Sequence, residues 1–274
     1  VEAIAVRDGA VEVTTAAGAT WTADYVVGAD GARSAIRRGI GIPLEGSQSE
    51  NAFVVVDVTE DPERPTPPAR IFHYQHPAVG RRNALLVPFA GGWRADLQCR
   101  RGDDPSRFGS PDGARAWVAA VLGARYAERI AWVSTYRFQQ VVARRFVDES
   151  RRVVLIGDAA HLFAPFGARG MNSGLADAVA AATAIGAALT AADDDAARRA
   201  IERFATERYA AALANRAAAG KALSAMQSRH PRMWVKRHAA AALAPRSERA
   251  GAWLDSAPYG PRLRDGRRPT RSGY

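Results

Sequence analysis

Cysteine is nearly absent from this 274-residue sequence, in which Cys99 is the only one. A single cysteine excludes a disulfide within one chain and is typical of reducing compartments, so we expect a cytoplasmic protein. Long apolar runs are also missing. The most apolar helical segment, residues 175–192, is mostly alanine and carries Asp177, and residues 1–13 alternate like a strand instead of resembling a signal peptide. These features predict no membrane partner.

Lysine is also scarce. Of the 38 basic residues counted as lysine or arginine, two are lysines, Lys221 and Lys236. Against 28 acidic residues this gives a net charge of +10, with arginine frequent after residue 229. Such a basic tail can neutralise phosphates, but its aromatic residues form no recognisable nucleic-acid-binding motif. We therefore expect no nucleic-acid partner, and a basic binding protein stays as an alternative.

The sequence opens with Val1 instead of methionine, and short strands are predicted soon after it, at residues 11–13, 20–22 and 25–27. A strand pair needs further partners to bury its second face. We therefore expect the chain to be N-terminally truncated, and an inactive fragment is one alternative reading of its function.

Two kinds of pattern divide the rest of the chain. Strands of an antiparallel sheet are predicted at residues 70–75, 84–89, 93–99 and 131–140. Residues 153–156 are consecutively apolar, as in a strand covered on both faces, and helical periodicity follows over residues 172–228. We predict four segments along the chain, the last a helical and irregular basic tail. Their boundaries are 1–50, 51–145, 146–230 and 231–274.

Residues 152–178 carry the strongest signal for a binding site. A buried strand delivers Gly157 and Asp158 to its carboxyl end, where α/β folds place their ligands. Asp158 can accept hydrogen bonds from the hydroxyls of a polyol or ribose. A loop with proline and glycine then leads into a helix that we predict to begin near Asn172 or Ser173. Its free N–H groups would suit a ligand that develops negative charge.

This segment resembles the second FAD-binding motif of the flavin-dependent aromatic hydroxylases, the class A flavoprotein monooxygenases of the para-hydroxybenzoate hydroxylase type. The shared pattern is G-D-A-A-H, a proline, G-x-x-G-[LM]-N and finally D-A. The resemblance implies that Asp158 bonds the ribityl chain of FAD and that Pro165 lies beside the isoalloxazine ring. It also assigns to the cofactor site Gly157 and the backbone facing the pyrimidine edge, namely Gly167, Ala168, Arg169, Gly170, Met171 and Asn172.

Residues 26–37 form a second motif that resembles the D-G fingerprint of the same family. In the family this loop lies against FAD and influences pyridine-nucleotide binding, so the resemblance assigns four more residues to the cofactor site. The sequence also predicts a tight turn here, followed by a short helix capped by Ser34 with Arg37 facing outward. The four residues are Gly28, Asp30, Gly31 and Arg37.

The family's G-x-G-x-x-G turn, which holds the pyrophosphate of FAD, is missing from the sequence. The resemblance therefore implies an α/β fold with a partial, Rossmann-like, three-layer FAD-binding domain. An antiparallel-sheet substrate domain would be inserted into it, and helices would follow at the C-terminal end.

The same resemblance implies an enzyme that uses FAD, NAD(P)H and dioxygen. It would hydroxylate a phenolic or polycyclic aromatic substrate through a flavin C4a-hydroperoxide. A non-hydroxylating FAD oxidoreductase of the same fold, such as a halogenase or a reductase, is the alternative. A homodimer is left open.

Other polar residues give weaker signals, and none identifies a catalytic residue. His161 is expected to orient its loop, and His73 and His76 have no third ligand at a spacing that predicts a metal site. Strand alternation predicts that Tyr74 and His76 share one face of their strand, opposite His73. Polar side chains of the predicted substrate sheet could line an aromatic pocket, among them His73, Tyr74, His76, Arg94, Asp96 and Gln98.

Overall fold

The computed structural model describes residues 1–7, 9–227 and 231–256. Its strands are β1 (Ala3–Arg7), β2 (Ala10–Thr14), β3 (Thr20–Ala23), β4 (Val26–Gly28), β5 (Leu44–Thr59), β6 (Ile71–His76), β7 (Arg82–Phe89), β8 (Gly92–Gln98), β9 (Ile130–Ala143), β10 (Val153–Leu155) and β11 (His161–Leu162). Its helices are α1 (Ala35–Gly39), α2 (Pro105–Gly109), α3 (Pro111–Leu122), α4 (Arg169–Leu189), α5 (Asp194–Gln227), α6 (Pro231–Leu243) and α7 (Glu248–Ser256). The predicted mixed α/β fold class is confirmed.

The chain folds into two units, and both crossings between them occur within strands, β5 and β9. The first unit combines Val1–Ser47 with the chain from Gln139 onward, and the second is Gln48–Phe138. In the first unit β1, β2 and β3 form an antiparallel sheet, β4 pairs in parallel with β10, and β11 pairs with the end of β9.

Strand β10 is the buried centre of the first unit. Val153, Val154 and Leu155 are all fully inaccessible to solvent, which confirms the prediction of a strand covered on both faces. Helix α5 packs into the same core through Ile201 and Phe204. The predicted helical periodicity is confirmed further along α5, where Ala212, Ala219, Leu223 and Met226 are buried.

The second unit is an antiparallel sheet in the order β9-β5-β8-β7-β6. One face carries the core, because alternate residues of β5 and β8, such as Val56 and Trp93, are buried together with Trp117 of α3. Strand β6 departs from simple alternation. Gln75 has φ +54, and the register shifts between His73 and His76. The prediction that these two histidines lie on opposite faces is therefore wrong, since this bulge brings their rings to 4.9 Å, edge to face.

The end of the described chain is helical. Pro231 is the first residue of α6, a position that proline tolerates because the first N–H groups of a helix have no intrahelical acceptor. The irregular tail predicted after residue 258 lies outside the described residues. Within residues 1–7, 9–227 and 231–256, no helix combines the length and apolarity that crossing a membrane requires.

Candidate functional site

The two motif loops follow neighbouring parallel strands of the first unit. Val27 of β4 pairs with Val154 of β10, and the N–H of Ile156 donates to the carbonyl of Gly28 at 3.1 Å. Gly28 has no room for a side chain, because an added Cβ would lie 2.8 Å from the Leu155 side chain. Both loops therefore leave the same carboxyl edge, where α/β folds bind ligands.

The D-G loop is held by its own aspartate. Oδ2 of Asp30 accepts the N–H groups of Ala35 at 2.6 Å and Ile36 at 3.1 Å, in the first turn of α1. Burial opposes ionisation, but hydrogen bonds from Ser34 and from backbone N–H groups lower the pKa of Asp30. Gly31 has φ +80, a conformation that favours glycine. Oδ2 of Asp30 is thus used to hold the loop against the first turn of α1.

Arg37 ties the two loops together. The predicted cap is confirmed, because the Ser34 hydroxyl accepts the Arg37 N–H at 2.8 Å. The prediction that Arg37 faces outward is wrong, since it is 6% exposed. Its guanidinium donates to the carbonyl of Ala159 at 2.9 Å and to that of Ala32 at 3.2 Å. Arg37 lies on the side of the short helix α1 that faces the core. There it can donate to the carbonyl of Ala159, which as a buried acceptor needs a hydrogen-bond donor.

The loop after β10 brings backbone and carboxylate to the edge of the sheet. Gly157 has φ +56 and packs against Gly174 of α4. A Cβ added at Gly174 would lie 3.4 Å from the Cα of Gly157. Asp158 is exposed, and no described residue bonds its carboxylate. The loop therefore packs closely on α4 while leaving one carboxylate free for a ligand.

Helix α4 begins earlier than predicted. Its first residue is Arg169, and Ala168 precedes it at φ +52 without a side-chain cap, so the predicted start near Asn172 or Ser173 is wrong. Ser173 lies inside the helix, where its hydroxyl accepts the side-chain N–H of Asn215 at 3.0 Å. A left-handed alanine is strained, and an uncapped first turn leaves N–H groups able to bind an anionic group.

A buried carboxylate lies beneath this loop. Asp177 of α4 is fully buried and accepts three hydrogen bonds, from His161 Nε2 at 2.7 Å, Arg208 Nε at 2.7 Å and the Gly157 N–H at 3.1 Å. Burial raises its pKa, but the bonds from His161 and Arg208 outweigh burial and lower the pKa of Asp177. Because an ionised carboxylate can only accept hydrogen bonds, Nε2 of His161 carries the proton and donates it to Asp177.

His161 is correspondingly rigid. Its ring is fully buried and stacks on Phe163 at 4.7 Å between centroids, with Phe146 at 6.0 Å. This placement fits the predicted role of orienting the loop. Asp177 was visible in the sequence only as the D-A of the motif, and Arg208 gave no signal, because charges on a long helix are usually solvated.

The remaining predicted residues lie at the start of α4 or just before it. They are exposed or partly exposed, as a cofactor contact requires, and Met171 is 70% exposed. Arg169 is partly buried, and its NH1 donates to Asn215 at 3.1 Å. The exposed ones are Pro165, Gly167, Ala168, Met171 and Asn172.

A model of the FAD binding domain family matches residues 5–219. The 3-(3-hydroxy-phenyl)propionate/3-hydroxycinnamic acid hydroxylase 2 of Burkholderia vietnamiensis is 34% identical over 168 residues, which are 57% of this chain and 27% of that protein. The chain thus spans about a quarter of the length of the curated relatives it matches.

Two solved structures are similar in fold. A p-nitrophenol 4-monooxygenase from Pseudomonas putida matches with a TM-score of 0.67 and 23% identity, over 96% of this chain and 67% of that one. A Diels-Alderase of pyrroindomycin biosynthesis matches with a TM-score of 0.70 and 23% identity, over 94% of this chain and 54% of that one. Likeness at this identity concerns the fold and leaves the reaction open.

Proposed function

The chain belongs to the FAD binding domain family, and from this premise we propose that the protein is a monooxygenase that hydroxylates an aromatic substrate. It would use FAD, NAD(P)H and dioxygen, with a phenolic or polycyclic substrate. The family match confirms the predicted resemblance and FAD as the cofactor. The hydroxylase name of the relative supports the reaction class, although the chain covers 27% of that relative.

One observation carries the proposal. The two loops that the resemblance assigns to FAD leave adjacent parallel strands, and the buried Arg37 links them through the carbonyl of Ala159 at 2.9 Å. The free carboxylate of Asp158 suits a hydroxyl-rich chain, and the uncapped N-terminus of α4 suits a group that gains negative charge. These residues fit the ribityl and ring end of FAD.

The described residues have separate parts in this proposal. Asp158 would accept ribityl hydroxyls, and the first N–H groups of α4 would stabilise negative charge on the flavin ring. Gly157 and Gly174 keep the loop close to α4, and Asp177 fixes the loop from below through the Gly157 N–H. When bound, FAD would supply the redox chemistry that activates dioxygen.

The test is to supply the purified protein with FAD, NAD(P)H and a panel of phenols under ¹⁸O₂. We expect NAD(P)H oxidation that the correct phenol accelerates, and a product that gains one ¹⁸O atom. Asp158→Ala should reduce both signals at limiting FAD, whereas Asp112→Ala, an exposed aspartate of the second unit, should not. NAD(P)H oxidation without ¹⁸O in any product would instead indicate the non-hydroxylating oxidoreductase, and the absence of both signals would contradict either enzyme.

A further inference from the structure

The sheet of the second unit has a second face, opposite the core residues Trp93, Ala95 and Leu97. Strand register aligns the side chains of this face in three rows across the sheet. The rows are Gln98 with Phe53; Phe72, Leu85, Asp96 and Val55; and Val87, Arg94 and Asp57.

Asp96 stands apart from the other polar residues of these rows. Arg94 forms a two-pronged ion pair with Asp57, at 2.8 and 2.7 Å, and Gln98 accepts the side-chain N–H of Asn83 at 2.9 Å. Oδ1 of Asp96 is buried, and no described residue donates a hydrogen bond to it. The neighbours on its own strand are therefore already satisfied, while Asp96 is not.

In its own row across the sheet, the neighbours of Asp96 are apolar and aromatic. Val55 and Leu85 stand directly opposite it on the two neighbouring strands. Beyond Leu85, Phe72 contacts Tyr74 with 4.3 Å between ring centroids. On the β5 side, Phe53 contacts Phe138 at 4.4 Å. A planar ring at this face would therefore find aromatic side chains on both sides of the unpaired Asp96 Oδ1 along the sheet.

The energetic cost of this arrangement points to a ligand. Burial, reinforced by the charge of Asp57 and opposed by that of Arg94, raises the pKa of Asp96 to about 6. A buried acceptor without a donor is unfavourable, and a hydroxyl brought by a ligand would restore the missing hydrogen bond. Ligand pockets are commonly built in this way, mostly apolar with a few polar groups that fix orientation.

We propose that Asp96 is a specificity-determining residue that accepts a hydrogen bond from a ring hydroxyl of the aromatic substrate. The inference rests on the proposed function, since it names the feature by which that enzyme would select its substrate. Phenols would be preferred to rings without a hydroxyl, because only phenols satisfy Oδ1 of Asp96.

The test compares two probes that differ in one hydrogen-bond donor, 1-naphthol and its methyl ether, 1-methoxynaphthalene. Their dissociation constants are measured by calorimetry at pH 7.5 on the purified protein. A hydrogen bond to a charged group predicts that the wild-type protein prefers 1-naphthol by about tenfold or more. Asp96→Leu should remove the preference, and Asp96→Asn should reduce it. Asp103→Asn, which changes a carboxylate already paired with Arg82, is the matched control and should retain it.

The pH dependence adds a result that a purely structural role for Asp96 would not produce. The preference for 1-naphthol should grow as the pH rises through about 6, because the ionised carboxylate is the stronger acceptor. Binding of 1-methoxynaphthalene should stay level. Equal affinities for both probes, no binding of 1-naphthol, or a preference retained in both folded Asp96 variants would overturn the inference.

Binding needs no turnover, so the two proposals fail separately. An Asp96-dependent preference without ¹⁸O incorporation would leave this inference standing and contradict the monooxygenase. Oxygen incorporation with an unchanged preference in Asp96→Leu would do the opposite.

Discussion

His161 and Asp177 form a fully buried pair, with 2.7 Å between Nε2 of the ring and Oδ2 of the carboxylate. The same carboxylate accepts the N–H of Gly157, so the first residue of the G-D-A-A-H motif, the last residue of that motif and the aspartate of the later D-A meet at one point. Arg208 supplies the balancing charge at 2.7 Å. Buried hydrogen bonds thus hold the two ends of the G-D-A-A-H motif to the aspartate of the later D-A.

Asp177→Asn should lower the free energy of unfolding by about 3 kcal/mol, because it leaves the mostly buried Arg208 without its counter-charge. Chemical denaturation at pH 7 measures this. Glu207→Gln changes the exposed acidic residue next to Arg208 and should cost less than about 0.5 kcal/mol.

The deficit of Asp177→Asn should also depend on pH. The pKa of Asp177 is lower in the folded protein than the value of about 3.9 expected when unfolded. Its stabilising contribution is therefore complete above about pH 4 and is lost as the pH falls through the folded pKa. The difference between wild type and Asp177→Asn should shrink below pH 4, and a constant difference would contradict an ionised Asp177.

Arg37→Ala should destabilise the first unit and weaken FAD binding together. It removes the donor to the carbonyl of Ala159 and leaves that buried acceptor unsatisfied, at a cost of about 1–3 kcal/mol. Arg38→Ala is the matched control, because Arg38 is exposed and, among the described residues, its side chain bonds the local carbonyl of Arg33. Denaturation and FAD fluorescence titration measure the two effects. Equal behaviour of both variants would show that Arg37 does not hold the loops.

Asp158→Ala should weaken FAD binding and leave stability unchanged. The exposed carboxylate has no described protein partner to lose, whereas a ribityl hydroxyl would lose a charged acceptor worth about 1.5–3 kcal/mol, or tenfold to about a hundredfold in affinity. Fluorescence titration with FAD gives the affinity, and thermal unfolding of the FAD-free protein gives the stability. Unchanged affinity would remove Asp158 from the site.

Ala168→Gly should raise the free energy of unfolding by about 1 kcal/mol, because a φ of +52 is strained for alanine and unstrained for glycine. Ala176→Gly is the control at an exposed position inside α4 and should change stability in the opposite direction. Denaturation curves of the two variants compare the signs. Destabilisation by both would contradict strain at Ala168.

Much of this architecture can be predicted from sequence because it rests on local patterns. The apolar run of β10, the alternation of β7 and β8 and the helical face of α5 each follow from a period that burial imposes. The two motif loops lie at one edge of the sheet because each follows a predicted strand, and the structure pairs these strands in parallel.

What the sequence does not reveal depends on distant partners. Arg37 is buried where its guanidinium donates to the carbonyl of Ala159, 122 residues later in the chain. Arg208 is mostly buried where it pairs with the buried carboxylate of Asp177. The bulge at Gln75 reverses the expected placement of His76 with respect to His73. Helix α4 begins at a strained alanine, which no preference for cap residues would suggest.

The last prediction concerns Asp96 and has the opposite pH dependence to Asp177. Burial, the largest cause, raises the pKa of Asp96 to about 6, above the value of about 3.9 in an unfolded chain. The folded state therefore binds more protons than the unfolded state between about pH 4 and 6, and stability falls as the pH rises through this window. Two pKa units correspond to about 3 kcal/mol, and the effect of Arg94 is already contained in that shift, so we expect a loss of up to about 3 kcal/mol. Asp96→Asn should remove this dependence, making the variant more stable than wild type at pH 8 and about equal at pH 4. Asp103→Asn should not, because the pKa of Asp103 is lowered by its pairing with Arg82. Denaturation curves at pH 4, 5, 6, 7 and 8 for the three proteins decide the matter. A wild-type stability that does not fall between pH 4 and 8 relative to Asp96→Asn would mean that the carboxylate of Asp96 is not held away from water.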